Sequence, residues 1–127
     1  NNLVITYDIN NLDVNKQYSS VKDVNNIVFY VENMLDNKPK FYDIIKKSSI
    51  IMMDVDPHDG IQEPLFMDLF REAEFEGILL LDDINLNQPM NNWWNNINIE
   101  KYDISKYGHW SGTGLVNFNK NTKVILE

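Results

Sequence analysis

The sequence predicts an α/β domain in which helices cover both faces of a mostly parallel β-sheet. Four short apolar runs rich in β-branched residues have the length of strands. Segments with the helical spacing of apolar residues separate them, which is the order expected of parallel βαβ units. The runs are apolar throughout and do not alternate with polar residues, as in a sheet that is buried on both faces.

Three of the four predicted strands end at an aspartate. The strands are predicted at residues 3–7, 27–31, 49–53 and 78–81. Asp8 follows the first strand, Asp54 follows the third, and the pair Asp82 and Asp83 follows the fourth. Ligands of open α/β sheets bind beyond the carboxyl ends of the strands, so these acids are candidates for one polar site.

The helices are predicted from apolar spacing and from residues typical of helix ends. The clearest begins near Pro64, which suits a first turn, and has its C-terminal cap at Gly77. Three shorter helices are predicted around residues 18–24, 41–47 and 90–97. Of the neighbouring Trp93 and Trp94, we expect one to lie in the core.

The C-terminal part predicts one antiparallel addition to the sheet. Residues 115–118 and 123–126 have the composition of two hairpin strands. The segment 120–122 between them fits a tight turn. We therefore expect the sheet to end in an antiparallel hairpin strand.

Composition narrows the function classes. The 127 residues suit one domain over 1–127, and the formal net charge of −8 disfavours nucleic acid as the main partner. No apolar run is long enough to span a membrane. The chain has no cysteine, which excludes disulfides and thiolate chemistry, and no signal-like segment. We expect a cytoplasmic protein.

The acidic strand ends predict a cation site. Carboxylates that point into one crevice repel each other, and a hard cation such as Mg²⁺ relieves that repulsion. Asp54, Asp82 and Asp83 form the natural ligand set. The alternative is that these aspartates only cap the helices that follow them, which does not explain a pair of acids after an apolar strand.

Both histidines are candidate site residues. His58 follows Asp54 by four residues and is flanked by other acids, so it can act as a base near neutral pH or can simply order the turn before Gly60. His109 and Trp110 lie in a glycine-rich segment that allows close approach to a ligand. Trp110 can stack on a sugar or an aromatic group, or can pack on the core.

The strand ends and their spacing resemble class I S-adenosylmethionine-dependent O-methyltransferases, and in particular the metal-dependent branch with catechol, caffeoyl-CoA and macrolide-sugar types. The resemblance extends from the second strand of that Rossmann-like fold to its seventh. It implies S-adenosylmethionine and Mg²⁺, or another divalent cation, as cofactors. It also implies a small-molecule or glycan acceptor, with methyl transfer to a sugar hydroxyl as the expected reaction.

The resemblance assigns a role to individual residues. Asp8, in the segment VITYDIN, matches the acid that holds the ribose hydroxyls of the methyl donor, and Glu32 with Asn33 matches the position that contacts the adenine. The metal ligands match the acids of MMDVD and LLLDDI, namely Asp54, Asp82 and Asp83. His58 stands one place after the usual position of the catalytic base, and His109 with Trp110 is expected on the acceptor side.

The family's first strand and its glycine-rich turn have no counterpart before Asp8. In the family that strand lies between the second and the fourth. The resemblance therefore predicts a gap in the sheet, filled by an N-terminal segment or by another chain.

Other functions stay open. Asp54-Val55-Asp56 after an apolar strand is the Asp-x-Asp pattern of nucleotide-sugar glycosyltransferases, whose acids chelate the metal of the sugar diphosphate. A phosphoryl-transfer interpretation of the same pattern is weaker, because Pro57 and His58 replace the expected Thr or Val. A degenerate, non-catalytic methyltransferase-like binding domain is the non-enzymatic alternative.

Overall fold

The computed structural model describes residues 2–10 and 25–127, and these divide into two compact units. The first unit is Asn1–Lys38 and the second is Pro39–Glu127. The helix predicted around residues 18–24 lies outside the described residues. The expectation of one domain over 1–127 stays a prediction.

The first unit contains a parallel pair of strands, as the sequence predicts. Strand β1 is Val4–Asp8 and strand β2 is Ile27–Val31, and Asp8 is in register with Val31. The rings of Tyr7 and Tyr30 stack across the pair with centroids 5.1 Å apart. The carboxyl ends of both strands therefore lie side by side.

The second unit is built on a four-stranded sheet with the order β3-β4-β6-β5. Its strands are β3 at Ile50–Met53, β4 at Ile78–Asp82, β5 at Lys101–Asp103 and β6 at Thr113–Asn117. Strands β3 and β4 are parallel, whereas β6 is antiparallel to both β4 and β5. This mixed sheet confirms the α/β class, and a mostly parallel Rossmann-like sheet stays a prediction.

Three α-helices belong to the second unit. They are α1 at Tyr42–Lys47, α2 at Gln62–Glu72 and α3 at Gln88–Asn96, and a 3-10 helix at Lys38–Phe41 leads into α1. Asn87 caps α3, because its side-chain oxygen accepts a hydrogen bond from the backbone N–H of Met90 at 2.9 Å. Trp94 lies in the core and Trp93 is half-buried, as expected of that pair.

The core of the second unit joins the apolar faces of the helices to the central strands. Its fully buried side chains include Phe41, Met67, Leu69, Leu79, Leu81, Ile84, Met90 and Val116. By contrast, Ile50 and Met52 on the edge strand β3 are 64% and 66% exposed. The predicted burial of every strand on both faces is therefore wrong for β3.

The C-terminal cap of α2 differs from the prediction. The helix ends at Glu72 and Glu74 takes the left-handed conformation, with φ 56°, that was expected of Gly77. Gly77 instead lies at the entrance to β4, where a Cβ would stand 2.5 Å from the carbonyl oxygen of Ser49. The glycine is required by this close approach and not by the helix end.

The prediction of a C-terminal hairpin is also wrong, because β6 pairs with a different segment from the one predicted. Residues 123–126 form no strand, and β6 pairs with the three-residue strand β5 instead. The turn after β6 is held by Asn117, whose side-chain amide donates to the carbonyl oxygen of Thr122 at 2.8 Å. Within the described residues, no helix has the length and apolar character that a membrane span requires.

Replacement of a central leucine should show how far the second unit depends on this core. Leu79→Ala removes a side chain that is fully buried in β4 and should lower the free energy of unfolding by about 2–5 kcal/mol. Leu65→Ala, on the exposed side of α2, is the matched control and should cost far less. Urea unfolding followed by tryptophan fluorescence measures both, and equal losses would contradict the assigned core.

Candidate metal centre

Asp54 and Asp82 lie side by side at the carboxyl ends of β3 and β4, because the two strands are parallel and in register. Met53 pairs with Leu81, so the next residue of each strand is an aspartate. The burial of Asp54, reinforced by the negative charges of Asp82 and Asp83, raises the pKa of its carboxyl, and His58 partly opposes this shift. The predicted convergence of carboxylates is thus present in the second unit.

His58 is held in a fixed orientation beside these acids. Its backbone is left-handed, with φ 58°, and its carbonyl oxygen accepts a hydrogen bond from the side-chain amide of Asn87 at 2.8 Å. The ring Nδ1 lies 3.1 Å from the carbonyl oxygen of Val55. A carbonyl can only accept, so Nδ1 carries a proton and donates it there.

The other ring nitrogen of His58 faces two carboxylates. Nε2 lies 2.9 Å from Oδ2 of Asp83 and 3.2 Å from Oδ1 of Asp54. With the proton on Nδ1, the neutral ring presents its Nε2 lone pair to two anionic oxygens, which is unfavourable unless a proton or a cation lies between them. Only 11% of the His58 side chain is exposed, so water offsets little of this repulsion.

Asp83 is the most connected residue of the site. It has a left-handed backbone, with φ 61°, and its N–H donates to Oδ1 of Asp82 at 3.0 Å. Oδ2 contacts His58, and Oδ1 accepts a hydrogen bond from the hydroxyl of Ser111. Of the three non-glycine residues with positive φ in the described part of the chain, two are His58 and Asp83, and such backbone strain is concentrated at functional sites.

The glycine-rich segment after β5 forms the other wall of the site. The backbone N–H of Asn85 donates to the carbonyl oxygen of Ser111 at 2.8 Å, and that of Ile84 donates to Gly112 at 3.3 Å. Gly112 has φ 96°, and a Cβ there would lie 2.6 Å from Nδ2, the side-chain amide nitrogen of Asn85. Glycine is therefore required for this segment to approach the turn after β4.

Two overlapping sets of side chains have ligand atoms within 4.8 Å of one another. One set is Asp54, His58 and Asp83, and the other is Asp82, Asp83 and His109. Carboxylate and imidazole donors at this separation fit a divalent cation. Because Mg²⁺ prefers oxygen ligands and each set also contains an imidazole, these donors do not single out Mg²⁺ among the divalent cations.

The structure brings together most of the predicted residues of the second unit. Asp54, Asp82, Asp83, His58 and His109 all belong to the two sets. Trp110 follows His109 and is 82% exposed, so the alternative of packing on the core is wrong. Asp56 lies outside both sets, although its Oδ1 is 3.9 Å from Nδ1 of His58.

The residues expected to bind the methyl donor lie in the first unit. The N–H of Glu32 donates to the carbonyl oxygen of Asp8 at 2.8 Å, which joins the carboxyl ends of β1 and β2. Oδ1 of Asp8 accepts from the N–H of Asn10 at 2.7 Å. Oδ1 of Asn33 accepts from the N–H of Leu35 at 3.0 Å and so orders the turn after β2. Asp8 and Glu32 are thus neighbours at one end of the strand pair, and their role in binding the methyl donor stays a prediction.

Sequence reasoning missed two residues of the neighbourhood. Ser111 is 1% exposed and contacts Asp83, a role that depends on a contact between residues distant in the chain. Glu63, in the first turn of α2, is 2% exposed, and neither side-chain oxygen has a hydrogen-bond partner among the described residues. The sequence signal that could have identified Glu63 as a buried acid is its position in the apolar stretch around Pro64.

No protein-family model matches this chain, and no curated protein matches it significantly.

Glu63 should make the stability of the second unit fall as the pH rises. Burial raises the pKa of the Glu63 carboxyl, the negative charge of Asp59 raises it further, and the nearby backbone dipoles of Glu63 and Gly60 oppose this shift only in part. The folded state therefore favours the protonated acid, and its stabilisation is lost as the pH rises above about 4 through the folded-state pKa. A buried polar group without a partner costs roughly 1–3 kcal/mol.

Glu63→Gln tests this titration because it removes the charge at nearly constant volume. The stability of the variant relative to the wild type should increase between pH 4 and pH 8 in urea unfolding. Glu76→Gln, at an exposed position, is the control and should show no such trend. A pH-independent difference for Glu63→Gln would contradict the assignment.

Proposed function

We propose that the site around Asp83 binds a divalent cation, and that the chain belongs to a metal-assisted, S-adenosylmethionine-dependent O-methyltransferase that acts on a sugar hydroxyl. The observation that carries the proposal is the convergence of Asp54, His58 and Asp83 ligand atoms within 4.8 Å at the carboxyl ends of β3 and β4. Burial, together with the negative charges of Asp82 and Asp83, raises the pKa of Asp54, and this gives the site a physical reason to accept a positive charge.

Asp54, Asp83 and Asp82 would hold the cation. A bound divalent cation would lower the pKa of an acceptor hydroxyl. Because Nδ1 donates to Val55, Nε2 of a neutral His58 would be the nitrogen that takes the hydroxyl proton. His58 is thus the proposed proton acceptor, and the same nitrogen makes it the alternative third ligand.

The donor and acceptor sides are assigned to different residues. Asp8 and Glu32, adjacent at the ends of β1 and β2, would hold the ribose and adenine of the methyl donor, with Asn33 beside them. His109 and Trp110 would contact a small-molecule or glycan acceptor. The 82% exposure of Trp110 leaves its ring available to stack on a sugar.

The open edge of β3 supports the proposal that a further strand completes a Rossmann-like sheet. In the described sheet β3 is an edge strand, and its Ile50 and Met52 side chains are mostly exposed. Exposed apolar edge strands readily pair with a further strand. A strand from another segment or another chain at this edge would give the Rossmann-like sheet that the resemblance implies.

The glycosyltransferase and the non-catalytic binding domain remain alternative predictions, and the site geometry does not favour either. Metal chelation by Asp54-Val55-Asp56 would require both acids, yet Asp56 belongs to neither ligand set and its side chain is 91% exposed. The non-catalytic interpretation does not account for two strained residues, His58 and Asp83, in one site. A cytoplasmic location is part of the proposal, and the cysteine-free composition agrees with it.

Cation binding is tested most simply by calorimetric titration with Mn²⁺ and Mg²⁺. The wild type should bind, and Asp83→Asn should lose more than about 100-fold in affinity, since even residues behind metal ligands cost about 10–100-fold. The surface variant Asp43→Asn keeps the wild-type affinity, because that carboxylate lies on α1 and pairs with Lys47. Equal binding by both variants would remove Asp83 from the site.

Donor binding is tested with S-adenosylhomocysteine and the intact protein. Asp8→Asn should weaken binding by about 10–100-fold, the cost of one hydrogen bond to a charged group. Asp43→Asn again serves as the control. If the intact wild-type protein does not bind S-adenosylhomocysteine at all, the methyltransferase proposal is wrong, whatever the result with Mn²⁺.

A further inference from the structure

The hydroxyl of Ser111 connects the acceptor-side residues to the proposed cation ligand. Ser111 is 1% exposed, although its neighbours His109 and Trp110 are largely exposed. Its oxygen lies 2.5 Å from Nδ1 of His109 and also contacts Oδ1 of Asp83. A single buried oxygen thus bridges two side chains that belong to different loops.

The direction of these hydrogen bonds follows from the donors that are present. Asp83 is ionised when it holds a cation and can then only accept, so the Ser111 hydroxyl gives its one proton to Oδ1. The serine oxygen must therefore accept from His109, which places the imidazole proton on Nδ1. Oδ2 of Asp83 is left for the side of the site that contains His58 and Asp54.

The backbone ties the same two loops together. Ser111 and Gly112 accept hydrogen bonds from Asn85 and Ile84, which directly follow Asp83. The N–H of Gly112 donates to the carbonyl oxygen of His109 at 3.0 Å and closes a tight turn around Trp110. Backbone and side-chain hydrogen bonds therefore both connect the residues after β4 to the turn at His109.

We propose that Ser111 is a positioning residue that orients the Asp83 carboxylate for the cation and couples the His109–Trp110 turn to cation binding. This inference rests on the proposed cation site and adds a link between that site and the acceptor side. A cation on Oδ2 draws charge from the carboxylate and weakens Oδ1 as an acceptor, so the Ser111 hydroxyl and the His109 ring readjust. Coupling of this kind is reciprocal, so an acceptor held by the turn also changes the affinity for the cation.

The test combines cation affinity with the fluorescence of Trp110. In the wild type, saturation with Mg²⁺ should change the tryptophan emission, and Trp110→Phe should abolish that change while Mg²⁺ still binds. Ser111→Ala should bind Mg²⁺ about 10–100-fold more weakly, as expected when a group behind a metal ligand is removed. At saturating Mg²⁺ this variant should show no change in Trp110 emission.

Three further variants separate positioning from folding. Ser111→Thr keeps a hydroxyl and should restore the affinity and the emission change, whereas Ser111→Cys keeps the volume with a weak donor and should lose both. If Ser111→Ala fails to fold, Ser111→Cys tests whether the hydroxyl positions Asp83. Ser48→Ala removes a hydroxyl bonded to the carbonyl of Ile44, away from the site, and should behave as the wild type.

The outcomes distinguish this inference from the function it rests on. Wild-type affinity and emission change in Ser111→Ala or Ser111→Cys would overturn the role of Ser111 and leave the cation site intact. No emission change in a wild type that binds Mg²⁺ would overturn the coupling alone. A wild type that binds neither Mg²⁺ nor Mn²⁺ would overturn both the cation site and the inference.

Discussion

The two oxygens of the Asp83 carboxylate join the loops that form the candidate site. Oδ2 contacts the imidazole of His58 in the loop after β3, and Oδ1 accepts the hydroxyl proton of Ser111 in the segment before β6. The side chain of Asn87, which donates to the carbonyl oxygen of His58, and backbone hydrogen bonds between the segments after β4 and before β6 also hold these loops together. Asp83 is therefore the residue whose side chain contacts both the loop after β3 and the segment before β6.

The arrangement is costly in the absence of a positive charge. Two residues have left-handed backbones that side chains disfavour, and the charges of Asp82 and Asp83 add to the burial that raises the pKa of Asp54. Local costs of this type are tolerated where a site requires them and are compensated by the rest of the fold. The buried core of the second unit, which includes Leu79, Leu81 and Val116, is the part of this fold that can offset such a cost.

The sequence predicts those parts of the molecule that depend on local patterns. The apolar runs predict the positions of β1 to β4 to within a residue. The aspartates at the ends of these runs predict the acidic residues of the candidate site. The three-residue strand β5 carries too little pattern to be recognised, and its pairing with β6 replaced the predicted hairpin. Ser111 was missed because its contact with Asp83 spans 28 positions in the chain, and Gly77 was misassigned because its role is a close approach to Ser49.

The central claim is that Asp54, His58 and Asp83 surround the position of a divalent cation. Anomalous X-ray diffraction from crystals of the protein grown with Mn²⁺ tests it directly. The account predicts an anomalous peak within about 2–2.5 Å of carboxylate oxygens of Asp54 and Asp83, with Asp82 or a histidine nitrogen completing the set. A fully occupied Mn²⁺ elsewhere, with no peak at Asp83, would contradict it.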